Sequence, residues 1–218
     1  MRGYIAMKLR LARLTLGLRW RRLECRYLAT VANRRKEHLE LLMQCVGGSF
    51  LPHQPLFTGI GLHTQPLPGY GFKEDGTISP ICWEAPVCLT VYLGEQPVLG
   101  MAVEFRGPVI CIRQLQGVAG YKVPENLMKW PALFVEGIKT FLLNSPEISS
   151  ARLYSAHTRV SYEYPTSDVP AADFDKYQQN LRRRYDGTAR QCGFKKEHRD
   201  YWAWDVSMRK HPVVNGGL

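Results

Sequence analysis

Val98 to Gly120 reads VLGMAVEFRGPVICIRQLQGVAG, and this stretch decides the fold. Two runs of mostly apolar residues, Val98 to Phe105 and Val109 to Ile112, are separated by Gly107-Pro108. Apolar runs on both sides of a Gly-Pro break are typical of a β-hairpin. Small residues then follow in Gly117 to Gly120, and they would let a ligand or a second backbone approach closely. The end of this hairpin is therefore the best candidate for a ligand-binding site.

The residues around the hairpin extend it into a larger sheet. Val87 to Leu93 is rich in β-branched residues, and Gly94-Glu95-Gln96-Pro97 predicts a turn, so three antiparallel strands in a meander are expected. The rest of the chain alternates predicted helices and strands: Ala132–Leu143, Ala151–Ala156, Ala171–Gln191 and Tyr201–Met208. This order predicts an α+β fold with a mostly antiparallel sheet flanked by helices.

Positive charge is confined to the start of the chain. The 218 residues carry a net charge of +10. Residues 1–36 hold 11 Lys or Arg against one acid, Glu24, while the other residues hold 18 basic and 18 acidic side chains. The body is neutral, which argues against a nucleic-acid-binding body because such domains carry their own basic face. No apolar run approaches the roughly 20 residues that a membrane-spanning helix needs.

Three segments are predicted from composition. Residues 1–48 form a basic amphipathic helical arm whose second helix, from Arg34 to Val46, ends at Gly47-Gly48. Residues 49–86 are rich in Pro and Gly and are expected to form a connecting loop with one or two short strands at most. Residues 87–218 form the α+β body.

Two interpretations of the arm remain open. Residues 1–36 could bind an anionic membrane surface, nucleic acid or a protein partner. Alternatively, the helices of the arm pack on the body and keep their charges in solvent. The acid-poor start also fits a targeting peptide, although no long apolar segment or small-residue cleavage site is present.

The six cysteines are expected to be reduced. None forms a C-x-x-C pair, and Cys111 lies inside an apolar strand, where a buried thiol is the simplest interpretation. The same spacing gives no support for a metal site, and His53 and His63 in the connecting loop are more typical of surface residues. We therefore expect a cytoplasmic protein without a metal, peripheral to the membrane where the arm binds lipid.

The end of the hairpin resembles a known nucleotide-binding turn. Gln114 to Ala119 fits the pattern Q/R-x-x-G-x-G/A, after a hairpin strand and before a helix and another strand, as in the GNAT acyltransferase fold. In that fold the amides of the turn hold the pyrophosphate of acyl-CoA, and small residues let these amides converge on phosphate oxygens. Gly193-Phe194 before an aromatic strand resembles the end of the same fold. The resemblance implies a site for acyl-CoA, or another acyl thioester, at Gln114, Gln116, Gly117, Val118, Ala119 and Gly120.

The body is also similar to the VirK/YbjX-like bacterial family, whose members look GNAT-like. The matched features are Ile112 to Gly117, the segment Ser155 to Arg159 after the next strand, and Tyr185-Asp186 shortly before a glycine. The similarity covers about residues 87–206. It implies an N- or O-acyltransferase whose acceptor is unknown. The alternative is a non-enzymatic binding or assembly protein that docks through its basic arm.

Three residues are candidates for acyl-transfer chemistry, which needs a base for the acceptor and an acid for the departing thiolate. Glu104 and His157 are the candidate bases, although a solvent-facing strand carboxylate and a structural histidine are the simpler interpretations. The resemblance places the acid, a tyrosine, at the position of Ala189. Tyr185, about one turn earlier, could substitute, although a tyrosine that only packs on the sheet is the simpler interpretation.

Overall fold

The computed structural model describes residues 36–53, 57–64, 69–72, 78–118, 122–123, 129–158 and 171–207. The strands are β1 (Gly59–Thr64), β2 (Gly69–Phe72), β3 (Ile78–Trp83), β4 (Val87–Leu93), β5 (Gln96–Arg106), β6 (Val109–Gly117), β7 (Ser150–Tyr154), β8 (Lys195–His198) and β9 (Tyr201–Asp205). The helices are α1 (Lys36–Phe50), α2 (Trp130–Asn144), α3 (Phe174–Arg182) and α4 (Thr188–Gln191), and a π-helical turn, Arg183–Gly187, joins α3 to α4. Short 3₁₀ turns occupy Leu51–His53, Ala156–Thr158 and Ala171–Asp173.

Seven strands form one sheet in the order β1-β4-β5-β6-β7-β9-β8, and β2 pairs with β3 in a separate sheet. Neighbouring strands of the large sheet are antiparallel except for β6 and β7, which are parallel. The described part of the chain is therefore mixed α/β with a mostly antiparallel sheet, which confirms the α+β prediction at this level.

The hairpin that decided the prediction is present. β5 and β6 pair from Arg106 opposite Val109 to Leu99 opposite Gly117. Gly107 in the turn has a φ of 57°, a left-handed conformation that glycine adopts without a steric penalty. β4 precedes β5 as predicted and completes the antiparallel meander.

The parallel pair follows from the connection through α2. A parallel neighbour requires a crossover, and a helix between the two strands is the usual solution. Pro131 stands in the first turn of α2, where a missing N–H costs nothing. Phe134, Ile138 and Phe141 on one side of the helix are fully buried against the sheet, so α2 covers what we call the helix face. The opposite side of the sheet is called the far face.

The second predicted helix of the arm is longer than expected and packs in the core. We expected it to end at Gly47-Gly48, but α1 continues to Phe50, and Phe50 packs edge-on against Phe57 and Phe134. Burial of the apolar residues after the glycines outweighs the poor helix propensity of glycine, which is about 1 kcal/mol per residue. α1 and α2 cross closely at Gly137, where a Cβ atom would lie 2.6 Å from the Cα atom of Val46. The basic residues 1–35 lie outside the described residues.

The connecting segment holds more structure than its composition indicates. We expected one or two short strands in residues 49–86, whereas β1, β2 and β3 all lie there. Prolines and glycines are tolerated because β1 is an edge strand of the large sheet and β2-β3 is a two-stranded ribbon. β3 contacts β5 and β6.

The C-terminal part differs from the prediction in two places. The predicted helix from Ala171 to Gln191 is interrupted by the π turn, which ends at Gly187. A short strand, β8, precedes the predicted aromatic strand β9 and pairs with it. Trp204 is buried in the core, whereas Trp202 is half-buried and reaches polar groups described below.

Candidate functional site

β7 pairs in parallel with only the first part of β6, and β7 itself ends at Tyr154. Their pairing runs from Val109 opposite Ser150 to Ile112 opposite Leu153 and ends there. β6 continues for five more residues to Gly117 and remains paired on its other side with β5. Past Ile112, none of the described strands pairs with this edge of β6. We call this place the β6–β7 gap.

Tyr185 from the π turn reaches the free edge of β6. Its side chain is 2% exposed. Its hydroxyl accepts a hydrogen bond from the N–H of Leu115 at 3.0 Å and donates to the carbonyl oxygen of Leu115 at 3.3 Å. The Arg184 guanidinium donates to the same carbonyl at 3.5 Å. Because buried backbone groups need hydrogen-bond partners, Tyr185 supplies here what a neighbouring strand would otherwise supply.

The π turn connects both halves of the sheet across the gap. Tyr185 reaches β6 on one side, while the carboxylate of Asp186 accepts a hydrogen bond from Nε1 of Trp202 in β9 at 2.7 Å. The 3₁₀ turn Ala156–Thr158 at the end of β7 packs against the same π turn. π-helical turns inside α-helices occur frequently at functional sites, which makes this junction a candidate.

A polar network lies beside the gap at the end of β7. Ser155 is fully buried, and its hydroxyl accepts a hydrogen bond from the ammonium group of Lys196 in β8. The same ammonium lies 4.0 Å from the carboxylate of Asp186 and 4.8 Å from the centre of the Trp202 ring. Burial lowers the pKa of Lys196, although the Asp186 and Asp200 carboxylates act in the opposite direction. The amine is therefore deprotonated more easily than that of an ordinary lysine.

His157 pairs with an acid at the same end of β7. Its Nε2 lies 3.0 Å from Oδ1 of Asp200 in the β8-β9 turn, and Oδ2 of Asp200 lies 3.6 Å from His198. The hydrogen bond from His157 lowers the pKa of Asp200. A carboxylate that holds Nε2 orients the ring and leaves Nδ1 to exchange a proton. The 3₁₀ turn that carries His157 also packs against the π turn that carries Tyr185.

The segment predicted to bind the acyl donor, Gln114 to Gly120, begins inside strand β6 rather than in a turn. Gln114 is buried, and its side-chain oxygen accepts a hydrogen bond from the N–H of Glu84 at 3.0 Å, while its NH₂ group donates to Gln116. The N–H of Val118 donates to the carbonyl of Val98 at 3.0 Å. Ala119 and Gly120 lie outside the described residues. Phosphate binding by this segment stays a prediction, and the amides of Leu115 and Val118 already have partners.

Glu104 is not the solvent-facing carboxylate that the strand pattern suggests. The residue is 6% exposed, and its Oε1 lies 2.5 Å from Arg106 and 3.9 Å from Nε of Arg113. The alternation along β5 places it on the far face, since Val103 and Phe105 belong to the core on the helix face. The carboxylate that the sequence suggests as a base is therefore occupied by an ion pair with Arg106.

Sequence patterns alone did not identify the network residues. Ser155 and Asp186 lie in segments that the resemblance matches, but no pattern in the sequence assigned a role to them or to Lys196. They come together only because β7, the π turn and β8 meet at one end of the sheet. Ala189, where the resemblance expects a tyrosine, is fully buried in the core.

A separate apolar cavity of about 340 Å³ lies between α1 and the β1-β4 edge of the sheet. β5 separates this edge from β6, so the cavity is not part of the gap. Its apolar lining includes Met43, Phe50, Leu51, Phe57, Ile60 and Val91.

Comparison with known proteins adds no identification. No protein-family model matches the chain, and no curated protein matches it. Among the described residues, no helix is long and apolar enough to cross a membrane, and no group of three His, Cys, Asp or Glu side chains could hold a metal ion. Cys45, Cys88, Cys111 and Cys192 carry free thiols.

Proposed function

We propose that the chain is a GNAT-like acyltransferase that takes its acyl group from a thioester bound in the β6–β7 gap. The observation that carries the proposal is the end of β6–β7 pairing at Ile112 and Leu153, while β6 continues to Gly117. The GNAT resemblance implies an extended thioester beside β6, and past Ile112 this strand has no paired strand on its β7 side among the described residues. The order of β6, the Gln114 segment, α2 and β7 supports the same resemblance.

Tyr185 is the proposed acid. Its hydroxyl hydrogen-bonds to Leu115 on the open edge of β6, where the donor would bind. A departing thiolate needs one proton, and a phenol held at that edge can give it. Tyr185 thus replaces the tyrosine that the resemblance expects at the position of Ala189, and the π turn sets its direction.

His157 is the proposed base. The acceptor N–H or O–H attacks the thioester carbonyl, and His157 takes the acceptor proton as the new C–N or C–O bond forms. The C–S bond then breaks, the electron pair leaves with sulfur, and the thiolate takes the Tyr185 proton. The Asp200 carboxylate stabilises the imidazolium that forms. The imidazolium then releases its proton to water and the phenolate takes one up from water, so both groups return to their starting states.

The test is calorimetric titration of the full chain with acetyl-CoA, with longer acyl-CoAs and with free coenzyme A. We expect saturable binding of at least one thioester. Tyr185→Phe should lower the slow hydrolysis of the bound thioester by about 10²-fold or more, because general acid catalysis contributes about 10²–10⁴-fold. Tyr92→Phe removes a tyrosine hydroxyl on β4, away from the gap, and is the matched control. Absence of heat with every thioester, for correctly folded protein, would overturn the proposal.

A second candidate function is supported by the uneven charge. Residues 1–36 carry a net charge of +10, and the charges of the other residues sum to zero. Counter-ion release would give such an arm salt-dependent affinity for anionic lipid or nucleic acid. A chain that lacks residues 1–36 should lose binding to anionic vesicles and to DNA. Equal, salt-insensitive binding by both chains would exclude this role for the arm.

A further inference from the structure

Three arginines surround one buried cysteine on the far face. Cys111 in β6 is directly opposite Glu104 in β5 and directly opposite Arg152 in β7. Arg106 lies two positions further along β5, on the same face by strand alternation. Arg113 lies two positions further along β6, and its Nε reaches the same face, 3.9 Å from the Glu104 carboxylate. All three guanidinium groups and the Glu104 carboxylate act on the Cys111 thiol, whose pKa is raised to about 11 mainly by burial. The three arginines therefore converge on one small area.

Two of these arginines lie over tyrosine rings. The guanidinium carbon of Arg113 lies 4.0 Å from the centre of the Tyr154 ring, and that of Arg152 lies 4.6 Å from the centre of the Tyr201 ring. Stacking uses the face of a guanidinium and leaves the N–H donors in its plane available. These donors match the geometry of a phosphate or carboxylate group, which can accept two parallel hydrogen bonds.

The positive charge of this area is only partly neutralised. Glu104 is the one carboxylate among the described residues that forms an ion pair with any of the three arginines, through Arg106 at 2.5 Å and Arg113 at 3.9 Å. Three guanidinium groups against one carboxylate leave two positive charges. The side chains of Arg106 and Arg113 are 38% and 26% exposed, so a ligand can reach them while solvent is partly excluded.

Arg113 also lies at the start of the β6–β7 gap. Arg113 is the extra residue of a β-bulge, since Ala102 pairs with Gln114 and Val103 pairs with Ile112. Bulges redirect side chains and occur often beside active sites. Arg113 comes directly after the last residue of β6 that pairs with β7, and its partner Tyr154 comes directly after the last paired residue of β7. The contact between Arg113 and Tyr154 thus joins β6 and β7 where their pairing ends.

We propose that Arg113 and Arg152 bind an oxyanion, the phosphate or carboxylate group of a small-molecule ligand, with Arg106 held beside them by Glu104. We call this the arginine site. We assign the arginine site to the acyl acceptor, and this assignment rests on the proposed function. The acceptor would then be an anionic molecule that enters the gap from the far face. The oxyanion site itself does not depend on that function.

The test is titration of the full chain at 150 mM NaCl with phenyl phosphate, benzoate and phenol. We expect saturable binding of phenyl phosphate or benzoate, and the stronger of the two identifies the anion that the site prefers. Phenol, which has the same ring without the anion, should not bind. The double variant Arg113→Gln/Arg152→Gln should lose about tenfold or more in affinity, because a hydrogen bond to a charged group contributes about that factor.

Two further variants separate the arginine site from general basicity and from folding defects. Arg190→Gln removes an arginine that lies 5.6 Å from the Trp202 ring, outside the arginine site, and should bind as the unchanged chain does. Arg113→Lys/Arg152→Lys keeps the charge but not the planar donors, and it should also bind more weakly. Absence of saturable anion binding, or equal affinity in the Gln and Lys double variants and the unchanged chain, would overturn the proposal.

Titration with acetyl-CoA separates this proposal from the proposed function. Unchanged acetyl-CoA binding in the Gln double variant supports an anionic ligand distinct from the donor. Loss of acetyl-CoA binding in that variant would show that the arginines hold a phosphate of the donor, and it would overturn the assignment to the acceptor. Phenyl phosphate binding without any thioester binding would support the oxyanion site and reject the acyltransferase.

Discussion

Gly137→Ala tests the close crossing of α1 and α2. A Cβ atom at residue 137 would lie 2.6 Å from Cα of Val46, 3.0 Å from its Cγ2 and 3.2 Å from the carbonyl oxygen of Cys45. Two of these atoms belong to the backbone of α1, so no rotamer change removes the clash. Overpacking costs about 1–3 kcal/mol, and we take the upper end. Alanine regains about 1 kcal/mol of helix propensity, so the free energy of unfolding should fall by about 2 kcal/mol.

The measurement is urea and thermal unfolding followed by circular dichroism. A loss of about 2 kcal/mol in a chain of this size lowers Tm by about 4–8 °C. Gly48→Ala is the matched control, because Gly48 lies in α1 and no atom lies within 4 Å of the position that the added methyl group would take. It should leave stability unchanged or raise it by up to about 1 kcal/mol. If Gly137→Ala were as stable as the unchanged chain, α1 would not pack on α2 as described.

Three other predictions concern the gap and its surroundings. Tyr185→Phe should destabilise the fold by about 1–3 kcal/mol, because the buried backbone groups of Leu115 lose a partner, as measured by urea unfolding; an unchanged midpoint would contradict this. The lowered pKa of Asp200 means that its ionisation stabilises the fold above the ordinary aspartate range and that this contribution is lost as pH falls through the lowered value. Asp200→Asn should therefore flatten the acid side of the stability–pH profile, and an unchanged profile would exclude the pair with His157. The lowered pKa of Lys196 means that its amine is free at a lower pH than usual, so its acetylation by acetic anhydride, followed by peptide mass spectrometry, should reach half its maximal rate below about pH 10.4; a midpoint at or above that value would contradict it.

The local pattern of the chain predicted the middle of the fold well. The apolar runs on either side of Gly107-Pro108 and the run from Val87 to Leu93 specify strands through neighbouring residues alone. The helix α2 follows from its apolar spacing and from Pro131 in its first turn. These elements depend on interactions close in sequence, which is why one sequence was enough to place them.

Other features depend on contacts between distant residues and were missed. α1 continues past Gly47-Gly48 because Phe50 packs against Phe134, a residue far along the chain. Glu104 is buried because Arg113, the bulge residue of the next strand, lies beside it. Neither effect leaves a local pattern that could be recognised in advance.

The candidate site was predicted only in part. Tyr185 and His157 were chosen for their residue types and positions, and the structure brings their turns into contact. The hydrogen bond between Ser155 and Lys196 joins residues that are 41 positions apart in sequence, so no spacing rule indicates it. Ala119 and Gly120 lie outside the described residues, so their part in acyl-donor binding stays a prediction.

The π turn has a consequence for how this chain can change. A π turn contains one residue more than the α-helix it interrupts, so deletion of one residue from Arg183–Gly187 would restore a regular helix. Such a deletion would rotate one end of the helix by about 100° relative to the other. Tyr185 could then no longer face β6 while Asp186 faced Trp202. The extra residue therefore fixes the angular offset that lets one helix hold both halves of the sheet.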